Sequence, residues 1–128
     1  MTDESRVADY LGHILQAIDR IESYAGELTE RQFLESGITQ DAVIRNFEVI
    51  GEASRNLERN CPRFAAAHPE LPLVIAYEMR NALAHGYFKV DLEIVWQTLR
   101  NDVPGLRRQV EDLLKALDRT QDSRGPTP

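Results

Sequence analysis

The chain has 128 residues, 42% hydrophobic and 28% charged, with a formal net charge of -6. That length fits one domain with a core of ordinary size, and no apolar run is long enough to span a membrane. The acidic balance argues against a protein that coats nucleic acid with a basic face, while leaving room for a nuclease with a local basic site or for a basic partner.

The polar, acidic start Met1–Ser5 does not read as a signal peptide. The first helix is predicted from about Asp3 to Ala25, with Val7, Leu11, Ile14, Ile18 and Ile21 stepping by four and three along one stripe. His13 falls off that stripe and reads as an exposed residue rather than a ligand. Gly26 stops the helix. Thr29-x-x-Gln32 is the pattern of a capping box for a short helix to about Ser36, ended by Gly37. A second long helix starts near Gln40 with Thr39 as its N-cap, and carries Val43, Phe47, Ile50 and Leu57 with Ala53 beside them. Gly51 inside it costs about 1 kcal/mol relative to alanine, which a close helix–helix approach would explain. Pro62 ends this helix. Cys61 excludes an internal disulfide, suits a reducing cytoplasm, and reads as a small buried side chain at a helix end.

Residues 63–72 form a predicted loop with one helical turn at Phe64–Ala67, and His68-Pro69 is a surface feature within it. A third helix runs from Leu73 to His85, between Pro72 at its start and Gly86 past its end. Asp91 is the N-cap of a fourth helix with Ile94, Val95 and Leu99 inward and Trp96 as a core or interface anchor. Pro104 makes a kink or restart, after which Leu106, Val110, Leu113 and Leu117 continue the stripe. Thr120–Pro128 reads as a disordered tail, leaving one helical domain over residues 1–119. No segment reads as a strand. The predicted fold is therefore all-α: an antiparallel four-helix bundle with a short extra helix and a kinked last helix. His13, His68 and His85 lie far apart with no second cysteine, so no metal site is expected, and no glycine fingerprint points to a cofactor.

The chemistry concentrates in Arg80-Asn81-Ala82-Leu83-Ala84-His85-Gly86-Tyr87. His85 closes a helix, where the macrodipole favours its protonated form. Asn81, four residues earlier, shares its face and is placed to orient the imidazole. Arg80 lies about 140° from His85 around the axis, so arginine's reach or a second copy of the chain must bring the two together. Spacing alone leaves open a plainer reading, in which Arg80 makes a structural ion pair and His85 is a satisfied cap residue.

Arg80-Asn81-x3-His85-x-Tyr87 resembles the signature of the HEPN superfamily, specifically its HepT-like toxins. The segment from Ala42 to Ala53, ending Gly51-Glu52-Ala53, is similar to a helix these proteins carry, and Val90–Trp96 is similar to their stretch after the tyrosine. The three blocks extend the resemblance from about Val7 to Leu117, with one departure: Leu73 stands where a tryptophan is expected after Pro72. The resemblance implies a metal-independent endoribonuclease that acts as a homodimer, with Arg80 and His85 catalytic. The chemistry is self-consistent. RNA supplies its own 2′-hydroxyl nucleophile, histidine can move protons near neutral pH, and arginine's fork matches phosphate oxygens. The resemblance also implies a nucleotidyltransferase antitoxin as partner, which adenylylates Tyr87 and so blocks the site. Glu52, a solvated carboxylate on base rates, becomes a candidate contact to Arg80 or His85. The expected substrate is RNA, with tRNA or mRNA as targets, in the cytoplasm. Two other readings stay open: a non-catalytic helical module that docks and regulates a nucleotidyltransferase, and a structural dimer in which Arg80 and His85 form an interfacial ion network.

Overall fold

The structure is a computed structural model that describes residues 4–69, 71 and 91–123. Among these residues it is all-helical, with six α-helices and no strand. The predicted third helix, Leu73 to His85, lies outside the described residues, so three of the four expected main helical segments are described.

A 3-10 turn at Glu4–Arg6 leads into α1, Val7–Ala25. The first helix thus begins later than the expected Asp3. Its predicted stripe is buried, together with Tyr10, Ala17 and Ala25. At its end Gly26 keeps right-handed angles, φ -60° and ψ -32°, and donates to the Glu22 carbonyl at 2.8 Å. A Cβ there would lie 2.5 Å from that carbonyl oxygen, so glycine is needed for close approach rather than for a left-handed turn.

Helix α2, Glu30–Leu34, opens with the predicted capping box. The Gln32 N–H donates to Thr29 Oγ1 at 3.2 Å, and the Thr29 N–H donates to Gln32 Oε1 at 3.0 Å. Helix α3 spans Gly37–Asn60 and is capped by Ser36, three residues ahead of the predicted Thr39. Both residues have cap chemistry, and here they work as a pair. Ser36 Oγ accepts from the Thr39 N–H and donates to Thr39 Oγ1. Gln40 then donates to the Phe33 and Leu34 carbonyls, tying α2 to the start of α3. Gly37 consequently opens α3 instead of closing α2. The expected close approach at Gly51 is not found among the described residues, because an added Cβ would meet nothing within 4 Å.

Pro62 does follow the end of α3, but it also starts α4, Pro62–Ala67, at a position where its missing N–H is harmless. Cys61 is buried between the two helices. The last predicted helix is two helices, α5 at Leu92–Asn101 and α6 at Val103–Ser123. Pro104 explains the break. It has no N–H for the Arg100 carbonyl, and its ring crowds that carbonyl. Asp91 caps α5 as predicted, accepting from the Glu93 and Ile94 N–H groups at 3.1 and 3.3 Å. Helix α6 continues four residues past Arg119, where the sequence placed the domain's end.

Helix α1 is the centre of the packing, in contact with both α3 and α6. Asn60 donates to the Tyr10 hydroxyl at 2.8 Å, which joins the end of α3 to the start of α1 and sets the two antiparallel. Near the other end of α1, Arg107 of α6 holds Asp19 and, at 2.9 Å, Glu22. Two hydrogen bonds from Arg100 reach the Gly26 and Leu28 carbonyls. The same guanidinium lies 4.4 Å above the Trp96 ring, and Trp96 packs on Phe33 with ring centres 5.4 Å apart. Trp96 therefore anchors α5 to α2 and to the turn after α1.

Candidate functional site

Of the predicted site residues, Arg80, Asn81, His85 and Tyr87 lie outside the described residues. Glu52 is described. It is exposed on α3 and lines a groove of about 310 Å³ between α1 and α3.

The groove follows from the register that Tyr10 and Asn60 impose. In that register Ala17 of α1 comes opposite Ala53 of α3, and both are buried, at 2% and 4% exposure. Two methyl groups leave a depression where larger side chains would close the seam. The α1 wall carries His13, Gln16 and Arg20, which recur at four- and three-residue spacing on one flank. The α3 wall carries Asn46, Val49, Glu52 and Asn56. The floor is thus apolar and the walls are mostly polar.

Asn46 is the unusual member. It is 6% exposed, and its Nδ2 donates to the Ala42 carbonyl at 2.8 Å. That bond fixes which amide atom is nitrogen and leaves Oδ1 without a protein partner among the described residues. Glu52 and Arg20 likewise have no ion pair or hydrogen bond to the described residues, so opposite charges face one groove without neutralising each other. His13 is exposed, as the sequence predicts, and its ring meets Tyr10 edge-on at 6.3 Å. Sequence reasoning singled out Glu52 but missed Gln16, Arg20, Asn46 and Asn56. The available signal was the His13-Gln16-Arg20 spacing together with an asparagine at a buried position of the α3 stripe.

Among the described residues no group of histidine, cysteine or carboxylate side chains is arranged to hold a metal ion, and no helix is long and apolar enough to cross a membrane.

The chain is all-helical among the described residues, carries Arg80-x4-His85-x-Tyr87 in its sequence, and belongs by its family match to the class of HEPN-type proteins. More narrowly, the chain belongs to the ribonuclease HepT-like family, whose pattern matches residues 14–113. It is 42% identical over 107 residues to "Probable ribonuclease HepT" of Thermococcus cleftensis, covering 84% of this chain and 94% of that one. It is 34% identical over 112 residues to "Putative RNase MJ0127" of Methanocaldococcus jannaschii, covering 88% and 90%. A longer protein of the same organism, "Gamma-glutamylcyclotransferase and putative RNase MJ0434", is 37% identical over 115 residues, which are 90% of this chain and 50% of that one. No solved structure matches the chain.

Proposed function

We propose that this chain is a metal-independent endoribonuclease toxin in which Arg80 and His85 cleave RNA. The observation that carries the reading is the sequence Arg80-x4-His85-x-Tyr87, lying whole within the 14–113 span that matches the ribonuclease HepT-like family. His85 takes the proton of the substrate 2′-hydroxyl, whose oxygen attacks the adjacent phosphorus. The 5′-oxygen leaves with a proton, and the products are a 2′,3′-cyclic phosphate and a 5′-hydroxyl. Arg80 holds the phosphate oxygens as charge builds on them. Asn81 orients His85, and Glu52 supports the site from α3. Two protomers in a homodimer bring two histidines to one cleft, so that one serves as base and the other as acid. A nucleotidyltransferase antitoxin silences the enzyme by adenylylating Tyr87, which puts negative charge beside Arg80 and fills the RNA site with a nucleotide.

The deciding experiment is RNA cleavage in excess chelator by unmodified protein and by His85→Ala of matched thermal stability. Cleavage that survives chelation, leaves cyclic phosphate ends and vanishes in His85→Ala is the expected result. No cleavage of tRNA or total RNA by verified unmodified dimer overturns the reading. Tyr87→Phe is expected to cleave like wild type while escaping neutralisation by the antitoxin. If Tyr87→Phe cannot cleave, the phenol is catalytic or structural instead.

A further inference from the structure

We propose that the seam between α1 and α3 is the face through which two copies of this chain pair, with Arg20 of each meeting the partner's Glu52. The proposal takes the homodimer from the ribonuclease reading and assigns it a face. Its test uses no RNA, so the two can fail separately.

The seam is open on the side away from the core. Arg20 and Tyr24 of α1 and Glu52 of α3 are exposed along it. Large apolar side chains stand exposed at three described positions, Tyr24, Leu34 and Ile38. Two of the three belong to this face. At 100° per residue, Tyr24 lies within about 20° of Ala17 around α1, and Ile38, Val49 and Asn56 lie within about 20° of one line along α3. Ala17, Val49 and Asn56 all line the groove. Ile38 is 87% exposed and Tyr24 47%, so this face holds apolar area that a partner would remove from water.

Charge selects a second copy as the occupant. Arg20 and Glu52 face one groove, and neither has an ion pair or hydrogen bond among the described residues. A face that carries both members of an unmade ion pair is complementary to itself, which an isologous interface requires. A phosphate backbone would be attracted by the arginine and repelled by the carboxylate. The register supports the pairing. Tyr10 meets Asn60, and Ala17 comes opposite Ala53, so Arg20 on α1 is level with Ile50 on antiparallel α3. A two-fold axis running along the seam lays α1 of each copy on α3 of the other at equal height. Arg20 then lies within about 3 Å, measured along the axis, of the partner's Glu52. Symmetry makes that pair twice. The same operation sets Tyr24 level with the stretch between the partner's Ile38 and the partner's Val49.

The test uses the full chain as wild type, Arg20→Glu, Glu52→Arg, the two changes combined in one chain, and Arg108→Glu on α6 as a control. All three positions are exposed, and thermal unfolding checks that each variant is folded. Analytical ultracentrifugation over a dilution series gives the dimer dissociation constant. Each single reversal is expected to weaken the dimer at least about tenfold, because it replaces two attractive pairs with two repulsive ones. The combined variant is expected to dimerise within about threefold of wild type, and Arg108→Glu like wild type. Arg20→Glu mixed with Glu52→Arg is expected to form heterodimers by native mass spectrometry, since every contact between those two chains joins opposite charges. Pairing within one chain cannot produce that rescue. A monomeric wild type, a dimer unmoved by either reversal, or a mixture without heterodimers overturns the proposal even if RNA is cleaved. Charge-swap rescue in a chain that cleaves no RNA upholds the face and overturns the nuclease reading instead.

Discussion

Phe33 is the residue whose removal tests the packing most sharply. It is the one buried side chain of the five-residue helix α2 and is 0% exposed. A helix that short does not persist without tertiary contacts. Phe33→Ala removes a fully buried ring, which costs about 3–5 kcal/mol with the cavity included. It also removes the stacking partner of Trp96, worth about 0.5–1.5 kcal/mol beyond burial. The combined expectation is about 4–5 kcal/mol, or a fall in Tm of about 10–20 °C for a domain of this length. Phe33→Leu keeps most of the volume and is expected to lose about 1–1.5 kcal/mol. Leu34→Ala, on the same helix but 39% exposed, is the control and should stay within about 0.5 kcal/mol. Urea denaturation followed by circular dichroism, with an unchanged m-value, measures all three. A loss below about 1 kcal/mol for Phe33→Ala, or an equal loss for Leu34→Ala, would refute the claim that Phe33 and Trp96 hold α2 in place.

Thr29→Ala breaks the reciprocal cap of α2 and is expected to cost about 1 kcal/mol in the same denaturation assay. Arg107→Ala should cost about 1 kcal/mol at low salt and less in 1 M salt, because its partners Asp19 and Glu22 are partly exposed. Arg107→Lys is expected to recover only part of that loss, since an ammonium lacks the fork that reaches two carboxylates. Burial raises the pKa of Asp102 above the ordinary carboxylate value. A raised pKa means the folded state holds the proton more tightly than the unfolded state does. The ionised carboxylate therefore disfavours folding, fully so above the raised folded-state pKa and not at all below the unfolded one. Asp102→Asn is expected to be more stable than wild type at pH 7, with the advantage gone at pH 3. Denaturation midpoints at the two pH values check it.

Helices and caps that depend on neighbouring residues were legible in the sequence. The α1 stripe, the Thr29–Gln32 box and the Asp91 cap all follow from spacing within one helix or turn. The start of α3 was not, because Ser36 and Thr39 offer equivalent cap chemistry. The structure uses Ser36 as the cap, and the Gln40 contacts back to α2 come from outside that local pattern. Pro104 announced an interruption, yet kink and restart look alike in a stripe that continues in phase on both sides. The groove was illegible for a related reason. Each wall is visible as a polar flank of one helix, but the depression exists only once the Tyr10–Asn60 contact sets Ala17 against Ala53. Asn46 hides among core positions, and only its single hydrogen bond reveals a spare acceptor. The Arg80–Tyr87 motif was legible as a string of residue types, and the family match is consistent with that reading.

Glu4 has a practical consequence for anyone handling this protein. Its carboxylate accepts from the Arg63 and Phe64 N–H groups, 59 and 60 positions along the chain, and so buckles the N-terminal turn to α4. Closing so long a loop adds only a little more entropy cost than closing a short one, so a single clasp of this kind is thermodynamically reasonable. A short way downstream, Leu71 is buried at 2% exposure and is the last described residue before the segment that contains Arg80 and His85. A purification tag fused ahead of Met1 is therefore expected to load the clasp that ties the N-terminal turn to α4. A tag placed after Pro128, beyond the end of α6, leaves that clasp alone and is the better handle for measuring activity.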